Sequence, residues 1–142
     1  MPQKPRVLFL CTGNSCRSQM AEGWLRHLAG DAFEALSAGS APVAVNPRAV
    51  ASMARAGVDI SAQTSKDVRT FFDNPPHVLV AVCDRALESC PCFPGPPELL
   101  RWPTDDPARA RGTDAWIDAC FDRVRDELRE RVEAWLPTTA RR

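Results

Sequence analysis

The sequence Cys11-Thr12-Gly13-Asn14-Ser15-Cys16-Arg17-Ser18 follows the apolar run Val7–Leu10 and leads into a helical pattern. The run is short enough to be a buried parallel strand. From Arg17 onward, apolar residues recur at helical spacing, at Met20, Ala21, Trp24, Leu25 and Leu28. A loop between a strand and a helix gathers backbone N–H groups and the positive helix end at one point, so this loop is suited to bind an anion.

Cys11 and Arg17 lie at the two ends of this loop. Arg17 adds a planar donor group that matches a tetrahedral oxyanion, and together with the helix end it favours the thiolate form of Cys11. A packed, inert Cys11 beside a solvated Arg17 is the alternative, since most free cysteines are unreactive. The Cys-x5-Arg-Ser spacing in this context favours a nucleophile with its own oxyanion-binding loop, made of Thr12, Gly13, Asn14, Ser15, Cys16 and Arg17.

The composition is that of a globular protein and predicts a single domain over residues 1–142, with 44% hydrophobic and 25% charged residues. Eighteen basic residues balance eighteen acidic ones, so nothing indicates nucleic acid or an anionic membrane as a partner. No apolar run approaches the roughly 18–20 residues of a membrane span, and Met1–Pro5 does not resemble a signal peptide. We therefore expect a cytoplasmic protein, in which six cysteines favour redox or metal chemistry over structural disulfides.

The rest of the chain alternates between predicted strands and helices. Further strands are predicted at 33–38, 77–82 and 99–102, and helices at 46–57, from Ser65 to Phe72, and along an apolar stripe from Trp116 to Leu136. This order predicts a doubly wound α/β fold, with a mainly parallel four-stranded sheet and helices on both faces. Right-handed crossovers should bring Cys11 and Cys83 to the same sheet edge, where ligands bind in such folds.

Three cysteines lie close together in sequence, at Cys83, Cys90 and Cys92. Zinc is the rival use, but their spacing does not match paired zinc knuckles and the nearest histidine, His77, falls within a predicted strand, so we predict no metal site. In a redox interpretation, Cys83 attacks an adduct on Cys11, and Cys90 then attacks Cys83. Cys92 is interpreted as a bystander, with a second resolving thiol as the alternative.

A pair of carboxylates precedes the last predicted helix, in Asp105-Asp106-Pro107. Taken alone, this motif is typical of a turn. Beside a thiolate and a departing oxygen, however, a carboxylic acid from this loop could protonate the leaving group.

With these residues, the chain resembles the thioredoxin-coupled arsenate reductases, which are built on the low-molecular-weight tyrosine phosphatase fold. Besides the loop and Cys83, the matching pieces are Ser37–Gly39, Asn46-Pro47, Asp59–Ser61, Gln63–Ser65, Cys90-Pro91 and Asp105–Ala110. The resemblance implies a role for six residues: Cys11 as nucleophile, Arg17 as oxyanion ligand, Ser18 as hydrogen-bond partner of the thiolate, Asp106 as general acid, and Cys83 and Cys90 as the relay.

The same resemblance implies a reaction and its partners. Arsenate would be reduced to arsenite, phosphate and sulfate would compete with it, and reduced thioredoxin would donate electrons to a monomer without a tightly bound cofactor. Residues 84–97 would change conformation between the reduced and oxidised forms. Cys16 would be a packing residue or a protective disulfide partner of Cys11, and we expect it to have no essential role.

Two other classes of function stay open at this point. A tyrosine phosphatase would use Cys11, Arg17 and Asp106 alike and hydrolyse the intermediate, but such enzymes usually carry tyrosines after the Asp-Pro, and this chain has no tyrosine. A non-catalytic thiol or metal sensor would need the cysteines without Arg17, Ser18 or Asp106.

Several related reductases hold a potassium ion beside the loop, with residues that match Asn14, Glu22 and Ser37 and an acidic residue after the Thr-Ser pair. Lys66 stands at that acidic place here. We expect its ammonium group to reach Glu22 or Asn14 and to replace the cation. Alternatively, Lys66 points to solvent and Asp67 takes the acidic role through a shift of one residue.

Overall fold

The structure is a computed structural model that describes residues 4–83, 93 and 97–137. The predicted relay residue Cys90, Cys92, and most of the 84–97 segment lie outside the described residues. The described elements are β1 (Arg6–Cys11), α1 (Arg17–Ala29), β2 (Glu34–Gly39), α2 (Pro47–Arg55), β3 (Val78–Ala81), β4 (Glu98–Arg101) and α3 (Asp114–Trp135), with short 3₁₀ helices at Val68–Phe71 and Pro107–Arg109.

The four strands form one sheet in the order β2-β1-β3-β4, and every neighbouring pair is parallel. The predicted α/β fold class is therefore confirmed. The sheet winds in one direction from β1 to β2 and in the other from β1 to β3, so the winding reverses between β1 and β3. Ligands bind at this position in doubly wound sheets, beyond the carboxyl ends of the strands. Cys11 ends β1, and Cys83 lies two residues beyond β3.

Strand β1 lies at the centre of the core, and its residues Arg6–Cys11 are all buried. Helix α1 packs on it through the predicted apolar face, from Met20 to Leu28, which is buried throughout its apolar positions. The indole N–H of Trp24 donates to the Arg125 carbonyl of α3 at 2.9 Å. Burial on several sides fixes both elements that flank the loop, so the position of the loop is determined by the core.

The predicted helix from Ser65 to Phe72 is wrong, because the chain forms only a 3₁₀ turn at Val68–Phe71. Asp67 caps this turn by accepting a hydrogen bond from the Arg69 amide at 2.9 Å. The preceding residues are extended: the Gly39 amide donates to the Lys66 carbonyl at 2.8 Å. This pairing with the end of β2 holds Ser65 outside the helix.

The apolar stripe of the last helix is shorter than predicted. Cys120, Phe121, Val124 and Leu128 are buried as expected, but the Trp116 side chain is 58% exposed. Trp116 lies in the first turn of α3 beside Gly112, where the helix extends past the core. Among the described residues, no helix is both long and apolar enough to cross a membrane.

Candidate active site

The loop between β1 and α1 turns its carbonyl oxygens toward the segment at 41–46. The amides of Ala41, Val43 and Asn46 donate to the carbonyls of Thr12, Gly13 and Ser15 at 2.9, 2.9 and 3.0 Å. Because the C=O and N–H groups of one trans peptide point in opposite directions, these bonds direct loop amides toward the cleft. The loop amides and the first turn of α1 therefore have the arrangement that binding of an anion requires.

Asn14 holds the shape of this loop from inside the protein. It is buried, with a φ of 46°, a left-handed conformation that asparagine tolerates better than most residues. Its side-chain oxygen accepts from the Lys66 amide at 2.8 Å, and its carbonyl accepts from Ser65 Oγ at 2.7 Å and Gln19 Nε2 at 3.0 Å. These bonds offset the cost of the backbone conformation, roughly 1–2 kcal/mol.

Cys11 and Ser18 are joined at the floor of the loop, with Sγ and Oγ 2.8 Å apart. Asn14 Nδ2 donates to the same Ser18 oxygen at 2.8 Å. An amide nitrogen can only donate, so this bond uses a lone pair of the hydroxyl and leaves its proton for the cysteine sulfur. The hydroxyl is thus oriented to stabilise a negative charge on Sγ.

Arg17 and Asp106 lie at the same cleft. Arg17 Nη1 donates to the Thr104 carbonyl at 3.0 Å, and Nη2 lies 3.7 Å from Asp106 Oδ2. The other Asp106 oxygen accepts from the Ala108 amide at 3.0 Å. The Arg17 side chain is only 12% exposed, so a guanidinium and a carboxyl group are both held beside the loop.

Cys83 lies on the wall of this cleft, which has a volume of about 810 Å³ and is also lined by Cys11. Its side chain is buried, and its Sγ is 3.6 Å from Thr12 Oγ1. The structure therefore brings together five of the six predicted catalytic residues, namely Cys11, Arg17, Ser18, Cys83 and Asp106. The sixth, Cys90, lies outside the described residues.

Cys16 belongs to the loop but differs from Cys11 in its environment. Burial raises the pKa of its thiol to about 12, and the hydrogen bond to Ser15 offsets only part of this effect. The Cys16 thiol is consequently neutral near pH 7 and is a poor nucleophile.

Glu22 is the centre of the predicted cation-site region. Its buried carboxylate accepts from Ser37 Oγ at 2.5 Å and from Arg26 Nη2 at 2.6 Å. Lys66 Nζ lies 3.7 Å from Glu22 Oε1, the oxygen that accepts from Ser37. It also donates to the Thr64 carbonyl at 2.5 Å. Lys66 thus reaches Glu22, which already pairs with Arg26; that the lysine replaces a bound cation stays a prediction.

Asp67, the alternative acidic residue, faces another partner. Its carboxylate pairs with Arg69 Nη2 at 2.6 Å, and the hydrogen bonds from Arg69 lower its pKa to about 2. These bonds engage Asp67 in the 3₁₀ turn.

Sequence reasoning missed several residues that position the site. Thr104 orients Arg17, and Gln19 and Ser65 support Asn14. Gly39 approaches the loop so closely that a Cβ there would lie 2.5 Å from the Thr12 carbonyl oxygen. The glycine at the end of a strand is the one available signal, since the Arg17–Thr104 and Ser65–Asn14 contacts join segments far apart in sequence and no pattern marks the local Gln19–Asn14 bond.

The family model for low molecular weight phosphotyrosine protein phosphatase matches residues 6–142 of this chain. The chain belongs to this family. Its matched region contains the whole candidate site, from Cys11 through Asp106.

Within this phosphatase family, the chain is similar to proteins named arsenate reductase. One from Halalkalibacterium halodurans is 44% identical over 135 residues, covering 95% of this chain and 97% of the relative. A solved arsenate reductase in the phosphate-binding state is 33% identical, with a TM-score of 0.77 over 92% of this chain and 95% of the other. A thioredoxin-dependent arsenate reductase of Corynebacterium glutamicum is 27% identical, with a TM-score of 0.65 over 94% of this chain and 64% of the other.

Proposed function

We propose that this protein reduces arsenate to arsenite. The observation that carries the proposal is Cys83, a cysteine from outside the loop that is buried in the cleft containing the Cys11–Ser18 pair and Arg17. A hydrolase of this family needs the Cys11–Ser18 pair and Arg17, whereas a reductase also needs a second thiol that can attack the Cys11 sulfur. The similarity to proteins named arsenate reductase supports the same choice.

The first step is nucleophilic displacement on arsenic. The loop amides and Arg17 bind the tetrahedral dianion, and the Cys11 thiolate attacks arsenic to form an S–As bond. One As–O bond breaks, and protonated Asp106 gives its proton to the departing oxygen, which leaves as water. Arsenic keeps its oxidation state of +5 in this adduct.

The second step transfers two electrons. The Cys83 thiolate attacks the Cys11 sulfur and forms a disulfide, while the S–As bond breaks and its electron pair goes to arsenic. Arsenic becomes +3 and leaves as arsenite. The two thiolates supply the two electrons, and Thr12 Oγ1 holds the Cys83 sulfur beside the loop at 3.6 Å.

The third step regenerates the enzyme. By the family resemblance, Cys90 attacks Cys83, which releases Cys11 and leaves a Cys83–Cys90 disulfide. Reduced thioredoxin then supplies two electrons and two protons to this disulfide. We propose a cytoplasmic monomer without a tightly bound cofactor. The thioredoxin dependence of the related Corynebacterium glutamicum protein supports the choice of donor.

A coupled assay tests the proposal. NADPH oxidation is followed with arsenate, thioredoxin and thioredoxin reductase, with and without this protein, and a parallel reaction replaces these two proteins by glutaredoxin, glutathione and glutathione reductase. We expect arsenate-dependent NADPH oxidation with thioredoxin that is absent in Cys83→Ser. Hydrolysis of an aryl phosphate without any arsenate-dependent NADPH oxidation would instead assign the site to a phosphatase.

A further inference from the structure

One positively charged side chain that lines the candidate cleft has no role in the reaction proposed above. The charged residues that line the cleft are Arg17, Arg109, Asp105 and Asp106. Asp106 lies 3.7 Å from Arg17, and Asp105 lies 3.8 Å from Arg123. Within residues 4–83, 93 and 97–137, the guanidinium of Arg109 forms neither an ion pair nor a hydrogen bond.

The backbone of Arg109 is fixed close to the proposed general acid. Arg109 ends the short helix Pro107–Arg109, and its amide donates to the Asp106 carbonyl at 3.1 Å. Pro107 is buried and fixes the turn, whereas the Arg109 side chain is exposed and Arg17 is largely buried. Both guanidinium groups therefore line the same cleft. That of Arg17 is largely buried, and that of Arg109 is exposed to solvent.

The charges of the other lining residues do not favour an incoming anion. When both carboxyl groups are ionised, before the general acid takes up its proton, Arg17 contributes one positive charge and Asp105 and Asp106 contribute two negative charges. Arg109 brings this sum to zero. An ionised oxyanion that approaches from solvent is repelled by the two carboxylates, and an exposed arginine on the same wall offsets that repulsion and offers further donors.

We propose that Arg109 is an outer anion-binding residue that draws a tetrahedral oxyanion dianion into the cleft and increases its affinity there. The ligand class rests on the function proposed above. Arg109 binds the anion before or alongside Arg17 and takes no part in bond breaking. Its contribution is mainly Coulombic across a solvated cleft, so it weakens as salt is added.

The test measures binding without turnover in the reduced, full-length protein. Inorganic phosphate is titrated against alkylation of Cys11 by iodoacetamide, and the modified peptide is quantified by mass spectrometry to give a phosphate Kd. Arg109→Gln should weaken phosphate binding about fivefold at low ionic strength and less than twofold near 0.5 M salt. Arg109→Lys keeps the charge and should recover most of the affinity.

Arg111→Gln is the matched control, because it removes the same charge from an exposed residue that does not line the cleft. Its phosphate Kd should stay within twofold of the wild-type value. The proposal is overturned if Arg109→Gln binds phosphate as tightly as wild type at low salt, or if Arg111→Gln weakens binding equally. If wild-type Cys11 gains no protection from phosphate, the oxyanion site itself is refuted. A protein that binds phosphate through Arg109 without reducing arsenate would refute only the reductase function.

Discussion

Replacing Gly39 by alanine tests whether the geometry of the oxyanion loop depends on one close backbone approach. A Cβ at this position would lie 2.5 Å from the Thr12 carbonyl oxygen and 2.8 Å from the Asn14 nitrogen. Real Cβ atoms essentially never approach within 3.0 Å of such atoms, so β2 and the loop must separate by about half an ångström. Both contacts are with backbone, and no change of rotamer can relieve them.

The size of the effect follows from this displacement. Forcing an extra methyl group into a packed site typically costs about 1–3 kcal/mol of stability. The atoms that must move belong to Thr12 and Asn14, which shape the anion-binding surface. Misplacement by about 1 Å can cost about 100-fold in rate, so half that distance should lower kcat/KM at least about tenfold. Arsenate reduction gives kcat/KM, and urea unfolding gives the free energy of unfolding.

Gly57→Ala provides the comparison. Gly57 has a φ of +84°, and a Cβ there would contact nothing within 4 Å. Alanine in this left-handed conformation should cost about 1 kcal/mol of stability and leave kcat/KM within twofold of wild type. The reasoning fails if Gly39→Ala keeps kcat/KM within threefold of wild type, because the loop would then tolerate the separation.

Three further predictions concern individual side chains of the site. Cys83→Ser should keep phosphate binding and any aryl-phosphate hydrolysis but lose arsenate turnover, whereas Cys11→Ser should lose hydrolysis and turnover; equal loss of both activities in Cys83→Ser would contradict the division between nucleophile and relay. Because burial raises the pKa of the Cys16 thiol, iodoacetamide at pH 8 should modify Cys11 and spare Cys16 in the folded protein, and urea unfolding should remove this difference; peptide mass spectrometry with and without urea checks this. Exchanging sodium for potassium at constant ionic strength should leave the arsenate KM nearly unchanged, because Lys66 lies 3.7 Å from Glu22, and a several-fold lower KM in potassium would show that a cation site survives.

The parts of the fold that the sequence predicts are those in which one local pattern is sufficient. Val7–Leu10 is a continuous apolar run, and such runs mark strands that are buried on both faces. The cap Asn46 and the following Pro47 mark a helix start that the structure confirms, with the Asn46 side chain accepting from the Arg48 amide at 2.8 Å. Cys11 and Cys83 could be placed together because parallel strands end at a common edge.

Tertiary contacts determine what the sequence could not predict. Serine is a residue type that commonly caps helices, yet the Ser65 hydroxyl donates to the carbonyl of Asn14, which is 51 residues away in sequence. Trp116 continues the helical stripe in sequence, but the core ends before the first turn of α3 and leaves it exposed. A local sequence pattern indicates neither the extent of the core nor the hydrogen bonds between residues far apart in sequence.

The same loop can support hydrolysis or reduction of the Cys11 adduct. Which of the two occurs depends on the atom that the second nucleophile attacks. In hydrolysis, water attacks the central atom of the adduct, and the electron pair of the broken bond returns to the Cys11 sulfur. In the proposed reduction, Cys83 attacks the Cys11 sulfur instead, and the pair must leave with the central atom. A thiol beside Cys11 therefore changes the outcome only for an oxyanion whose central atom can accept two electrons, as arsenic does in going from +5 to +3. Phosphate should accordingly bind the loop as arsenate does and leave all thiols reduced, which a thiol titration after incubation with each anion would reveal.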